Sequence, residues 1–306
     1  MRKKYLKLAL ASKLTPQELK LLSGSFDLVG DIAVVRMEKS LLEKGGVVAE
    51  AVMAANKHVK TVLCQVGAVS GMFRLRELEW IAGEKKTETI HREHGCLLHV
   101  DLSKVYFSPR LAFERMRVAK QVQPGEVIVN MFAGIGCFSV IIAKHSKASK
   151  IFSIDINSNA VRLMRENVRL NHVTYRVIPM EGDAREIIEK TLPGVADRVL
   201  MPLPEKSLEY LEVAIAALKP SGGYVHYYSH VHAGKKENSV DEVVKEASKK
   251  LAELGILFYI KHSDIVRTVG PNWYQVVLDI QIAPFEKLTA NQASVITMKR
   301  EKERML

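Results

Sequence analysis

Between two apolar strands, Val127-Ile128-Val129 and Ile151-Phe152-Ser153-Ile154, the chain reads Asn130-Met131-Phe132-Ala133-Gly134-Ile135-Gly136-Cys137, and the second strand ends in Asp155, 19 residues after Gly136. No other feature limits the possible folds as strongly. A strand that runs into a glycine turn and then a helix, followed by a strand closed by an acid, is how a doubly wound sheet builds a nucleoside site. Small residues let the backbone approach the ligand, and the acid accepts hydrogen bonds from ribose hydroxyls.

The rest of the C-terminal half fits that frame. Strands are expected at 127–131, 151–155, 174–180, 196–201 and 223–229, with helices at 137–144, 158–170, 184–190 and 206–218 between them. Such alternation reads as right-handed βαβ units around a parallel sheet. Ser239-Val-Asp-Glu242 has the spacing of a capping box and opens a further helix. Ile256–Ile260 and Tyr274–Ile282 alternate apolar and polar residues, which suits a final antiparallel pair. The expected fold is α/β: a class I, Rossmann-like methyltransferase domain with a seven-stranded sheet and antiparallel last strand. The expected domains are a helical extension at 1–23, a smaller α+β domain at 24–115, which the family resemblance given below implies is RNA-binding, the methyltransferase domain at 116–284, and a charged tail at 285–306.

Composition narrows the class. The 306-residue chain is 47% hydrophobic and 26% charged, enough apolar matter for two packed domains. No apolar run is long enough to span a bilayer, and the opening lacks a signal-like cleavage pattern, so a cytoplasmic location is expected. Cys64, Cys96 and Cys137 are isolated and odd in number, which indicates neither a disulfide frame nor a metal site. The net charge of +11 is spread along the chain and favours a polyanionic partner, because each neutralised phosphate releases counterions.

The glycine run itself argues against a dinucleotide. A G-x-G-x-x-G fingerprint would place glycine where this chain has Ser139, and no lysine closes the loop as in a P-loop. S-adenosylmethionine carries no phosphate and asks for less: a glycine turn, an acid at the second strand, and often an acid after the third, which Gly182-Asp183-Ala184 supplies.

The segments Tyr106-Phe107-Ser108-Pro109-Arg110-Leu111-Ala112-Phe113-Glu114-Arg115, Asn130 to Gly136 and Asp155-Ile156-Asn157 together resemble the archaeal and eukaryotic tRNA (guanine-37-N1) methyltransferases. The resemblance covers roughly residues 24 to 283. It implies S-adenosylmethionine as donor, tRNA as acceptor at position 37 of the anticodon loop, and a monomer. Many members also carry a small N-terminal domain that inspects the tRNA elbow; with about 23 residues before Phe26, that domain is expected to be absent.

Guanine N1 carries a proton and is a poor nucleophile, so methyl transfer to it calls for a general base and for stabilisation of charge on O6. Helical spacing would place Arg110 and Glu114 on one face, an arrangement open either to an ordinary ion pair or to a catalytic one. The resemblance assigns Glu114 as the base, Arg74 as the arginine that polarises the carbonyl, and Arg110 beside them. It further implies a cofactor pocket made of Tyr106, Phe107, Arg110, Phe132, Ala133, Gly134, Gly136, Asp155, Ile156, Asn157, Asp183, Ala184 and Pro202. Arg74, Arg76, Arg115 and Arg117 are expected to meet the RNA.

One position departs from the family. Its usual Asn-Leu-Pro after the fourth strand is here Met201-Pro202-Leu203-Pro204, and Pro202 has no side-chain hydrogen bond to give. The looser site resembles the wyosine-associated archaeal branch, which implies a second activity, methylation at C7 of the tricyclic intermediate 4-demethylwyosine. Two other readings stay open: a wyosine-pathway transferase that moves the aminocarboxypropyl arm of the same cofactor, and a non-catalytic RNA-binding protein. The final run, Met298 to Leu306, is expected to be a solvated helix.

Overall fold

The computed structural model describes residues 5–67, 69, 71–234 and 237–285, so the predicted tail helix lies outside the described residues. In chain order the elements are α1 (Tyr5–Ala9), α2 (Pro16–Leu21), β1 (Asp27–Val29), β2 (Ile32–Arg36), α3 (Gly45–Ala55), β3 (Thr61–Gln65), β4 (Leu78–Gly83), β5 (Glu88–Glu93), β6 (Cys96–Asp101), α4 (Ala112–Gln121), β7 (Val127–Asn130), α5 (Cys137–His145), β8 (Lys150–Asp155), α6 (Ser158–Leu170), β9 (Val177–Glu181) and α7 (Ala184–Thr191). β10 (Arg198–Met201), α8 (Ser207–Ala217), β11 (Gly223–His232), α9 (Ser239–Glu253), β12 (Phe258–Gly270) and β13 (Trp273–Ile282) follow.

The chain divides into two compact units, one ending at Ile187 and one beginning at Ile188. The first opens with a four-stranded sheet in the order β1-β2-β3-β4, in which only β2 and β3 run parallel, joined by the α3 crossover. Ala33 and Val35 on β2 and Val62 and Cys64 on β3 face one side, where Val48, Ala49 and Val52 of α3 pack against them. Leu6, Leu10, Leu14 and Leu22 belong to the same core. Residues 5–23 are thus built into the first domain, where the sequence suggested an extension. Each such leucine stabilises the domain by roughly 1.5–3 kcal/mol, which holds two very short helices in place.

β5 and β6 form a separate hairpin. Its two-residue turn, His94-Gly95, has φ of 49° and 75°, the left-handed pair that matches the twist of a tight hairpin. Asn167 on α6 and Asn171, which caps the C-terminal end of that helix, hold β6. The Asn167 amide accepts from His99 N (2.6 Å) and donates to His99 O (3.1 Å), and Asn171 does the same with Leu97 N (2.9 Å) and O (2.6 Å). Each side chain imitates a neighbouring strand.

Seven strands make the larger, mixed sheet. Three of them, parallel and in the order β7-β8-β9, lie in the first unit. Four lie in the second in the order β12-β13-β11-β10, where β10 and β11 are parallel and β13 pairs antiparallel with both β11 and β12. The final antiparallel pair is present, and its first strand is longer than the sequence suggested. α9 is capped by Asn238, whose side chain accepts from Val240 N, so the predicted Ser239 box is displaced by one residue. All three cysteines are buried and unpaired. Among the described residues no helix is long and apolar enough to cross a membrane, and no cluster of side chains could hold a metal ion.

Candidate active site

The glycine turn is built by short-range bonds. Ala133 N donates to Ile154 O (2.8 Å) and Gly134 N to Asp155 Oδ2 (2.6 Å), so the turn after β7 is clamped to the end of β8. Gly136 caps α5 with φ of 84°, and a side chain there would press into Met164. Gly134 differs: it also has positive φ, but a Cβ would meet nothing within 4 Å. The turn therefore borders open space beside Asp155. The Ser139 hydroxyl lies within hydrogen-bond range of Asn130 Nδ2 (3.1 Å) and Ser153 Oγ (2.7 Å), which fixes α5 on the strands without a third glycine.

Asp155 is the acceptor of this site. Its Oδ1 takes the Asn157 N–H at 2.9 Å, so both oxygens are held by backbone donors. Burial raises its carboxyl above the ordinary range, opposed by the N–H groups of Asn157, Gly134 and Ile156. Ile156 is 47% exposed, an apolar face beside the acid. Asp183 Oδ1 accepts from Arg185 N (2.8 Å) and caps α7, whose first residue, Ala184, is buried. This set fits the adenosine end of S-adenosylmethionine: space at Gly134, charged acceptors for hydroxyls, an apolar face for the base. Phe132 and Ala133 lie in the turn itself.

Asn157, predicted as a cofactor ligand, is committed elsewhere. Its Oδ1 caps α6 through Asn159 N (3.0 Å), and its Nδ2 donates to Lys104 O (3.0 Å). It fixes the segment leading to Tyr106 against the end of β8. Phe107 is also reassigned: it is 1% exposed, packed between the edge of His91 and the Arg115 guanidinium. Among the described residues, Pro202 follows β10 in a turn held by Ser207 Oγ, which donates to Met201 O and Leu203 O (3.1 and 3.0 Å).

The arginines separate by burial. Arg76 Nη1 meets Asp27 Oδ2 at 3.3 Å, and its Nη2 donates to Phe107 O at 2.9 Å. Arg115 pairs with Glu93 at 2.6 Å and donates to Ser108 O at 3.0 Å. Both are under 10% exposed and serve as structural ties, where the sequence led to the expectation of RNA contacts. Arg110 is not on a helix face with Glu114. It sits in a 3₁₀ turn, Pro109–Leu111, and donates from Nε to Asp27 Oδ1 at 2.7 Å, with its side chain 39% exposed. Arg117, the residue that does lie beside Glu114, grips that carboxylate with Nε at 2.7 Å and Nη2 at 2.8 Å.

Glu114 is buried in the first turn of α4. The β5–β6 turn fixes this helix on both sides of it, through the Arg115–Glu93 pair and through His94 Nε2 bonded to Ala112 O at 2.8 Å. Arg74 holds a left-handed backbone, φ 54°, and stacks its guanidinium 4.6 Å from the Tyr106 ring centroid. Positive φ at a non-glycine residue marks a conformation imposed by its surroundings.

Two members of the cluster escaped the sequence reading. Asp27 ties Arg76 to Arg110. Arg36 stands two residues beyond Val34, the register partner of Asp27, and so on the same sheet face. Burial, then the charge of Arg110, lowers its affinity for its proton. Neither residue lies in a motif.

Residues 89–257 match the family model described as the TRM5/TYW2 methyltransferase domain, and residues 6–87 match the TYW2 N-terminal domain. The chain is 40% identical over 269 residues to the tRNA (guanine(37)-N(1))-methyltransferase Trm5b of Pyrococcus abyssi, covering 88% of this chain and 78% of that one. It is 36% identical to the tRNA 4-demethylwyosine(37)-methyltransferase Taw21 of Saccharolobus solfataricus, covering 83% and 92%. Among solved structures, the complex of aTrm5 and tRNALeu superposes with a TM-score of 0.78 at 32% identity, over 92% and 79% of the two chains. Methanocaldococcus jannaschii Trm5 in complex with adenosine gives 0.73 at 32%, over 90% and 79%.

Proposed function

The chain belongs to the TRM5/TYW2 methyltransferase family, and from that membership we propose that it transfers a methyl group from S-adenosylmethionine to N1 of guanosine 37 in tRNA. The observation that carries the reading is the placement of Glu114. It is a buried carboxylate on a helix fixed from both sides, in the same unit as a nucleoside site and an arginine stacked on a tyrosine.

S-adenosylmethionine supplies, when bound, a methyl carbon made electrophilic by the sulfonium. Asp155 holds the ribose hydroxyls, Gly134 gives the backbone room, and Ile156 offers an apolar face to adenine. Glu114 accepts the N1 proton as the ring nitrogen becomes nucleophilic. Arg117, bound to both of its oxygens, keeps the carboxylate oriented. Arg74 faces the developing charge on O6, which a preorganised guanidinium stabilises without reorientation. Arg36 and Arg110, with Asp27 offsetting one charge, suit a phosphodiester near the target.

The likeness to Taw21 supports a second acceptor, C7 of 4-demethylwyosine at the same position. Pro202, which withholds the usual amide, fits a larger base. The reading includes action as a monomer in the cytoplasm, to be checked by light scattering and cell fractionation. The activity test uses labelled cofactor with two tRNAs, one bearing unmodified guanosine 37 and one the tricyclic intermediate. Methyl incorporation into the first is expected. Incorporation into neither overturns the proposal, and transfer of the larger aminocarboxypropyl arm, visible in the product mass, replaces it.

A further inference from the structure

The helix that carries Glu114 also carries Phe113, which at 80% exposure is the most exposed large apolar side chain among the described residues. Its ring makes no aromatic or cation contact with any of them. A lone apolar residue in water is ordinary on a protein surface. What distinguishes Phe113 is its setting. Residues three and four apart share a helix face, so Arg117, whose guanidinium holds the Glu114 carboxylate, neighbours both Glu114 and Phe113. Lys120 extends that face by a turn, exposed and without a hydrogen bond or ion pair to any described residue. Arg110, in the turn that leads into α4, bonds from Nε alone, to Asp27, so its two terminal nitrogens hold no described residue. From Pro109 to Gln121 the chain sets Arg110, Arg115, Arg117 and Lys120 against a single acid, Glu114, which is buried and paired. The backbone under the ring is fixed on both sides, by His94 on Ala112 O and by Glu93 on Arg115.

We infer that Phe113 is the stacking platform for a nucleobase next to the target in the RNA strand. Drawing a target base out of its stack leaves its neighbours with one face bare. An aromatic ring replaces the lost partner whatever base it meets, because every base has a π-face. Cations on the same stretch of chain suit the phosphates that arrive with that base. A single ring among cations offers a protein partner little apolar area, and it offers a nucleic acid both a stacking surface and counter-charge. Phe113 thus places the neighbour of the target, a role apart from the proton transfer assigned to Glu114. The inference rests on tRNA being the acceptor.

The test uses two tRNAs that carry 2-aminopurine, a base that fluoresces when unstacked, on one side or the other of guanosine 37. Bound to the unaltered protein, one of the two probes is expected to stay dim, and Phe113→Ala should brighten that same probe at least about twofold. Phe113→Ala and Phe113→Leu should each lower kcat/KM for tRNA roughly 5- to 100-fold, with Kd for S-adenosylmethionine within about twofold of the parent. Phe113→Tyr, which keeps the ring, should restore it. Full activity in Phe113→Leu overturns stacking, since leucine keeps the apolar bulk and lacks the π-face. Normal methyl transfer by Phe113→Ala with neither probe changed overturns the platform and leaves the activity standing. A probe that brightens on Phe113→Ala in a protein without methyl transfer supports the platform and overturns the activity. A dimer seen by light scattering that Phe113→Ala abolishes, with methyl transfer unchanged, assigns the ring to a protein contact and overturns the proposal.

Discussion

Glu114 accepts two side-chain hydrogen bonds from Arg117, Nε to Oε2 at 2.7 Å and Nη2 to Oε1 at 2.8 Å, across three residues of α4. The fork clamps the carboxylate in one orientation. Glu114→Gln keeps its shape and removes its basicity. Turnover is expected to fall about 10²–10⁴-fold with tRNA affinity within twofold, measured by single-turnover methyl transfer and filter binding. Undiminished turnover would remove Glu114 from the mechanism.

Asp155 is expected to govern cofactor affinity. Asp155→Asn keeps an acceptor near Gly134 N but loses the charge that hydroxyl donors meet. A hydrogen bond to a charged group contributes about 1.5–3 kcal/mol, so calorimetry should show Kd for S-adenosylmethionine rising roughly 10- to 100-fold. A change under twofold would mean the ribose lies elsewhere.

Arg115 should matter to stability and not to RNA. Removing one member of a buried pair leaves the other charge uncompensated, a loss of about 3–5 kcal/mol, so Arg115→Ala should unfold at markedly lower denaturant. The tRNA affinity of the folded protein should stay within twofold. Loss of affinity with stability intact would return Arg115 to the RNA surface.

His91 makes stability depend on pH. Burial holds its imidazole below the ordinary value, with Glu93 opposing and Arg115 reinforcing, and its Nδ1 accepts from Gly30 N at 3.2 Å. Between that lowered value and the unfolded value of about 6.5, the unfolded chain binds a proton that the folded chain refuses. The contribution is complete above about pH 6.5 and is lost as pH falls below it. His91→Asn keeps an acceptor without the titration. Denaturation at several values between pH 7 and 5 should show a shallower fall in stability, by at most about 1.4 kcal/mol per pH unit. An unchanged slope would rule His91 out.

Legibility followed the range of the interactions. Gly134, Gly136 and Asp155 were readable because a turn and the strand that clamps it lie about 20 residues apart, and glycine declares positive φ in its identity. The order of βα units and the antiparallel end were readable from periodicity. The arginines were not. Arg76, Arg110, Arg115 and Arg117 look alike in a sequence, and their fates were set by Asp27 and Glu93, which no motif marks. Asn167 and Asn171 read as ordinary helix residues, yet they hold the hairpin that grips α4.

By itself, then, the sequence determined the sheet, the nucleoside turn and the kind of chemistry, because each depends on neighbours in the chain. Only the tertiary structure decided which charges remain available to a substrate. Asp27 is 83 residues from Arg110 and 49 from Arg76, and it pairs one at the surface and one in the interior. Burial and partnership are properties of contacts between distant segments, and they exist only after the chain has closed on itself.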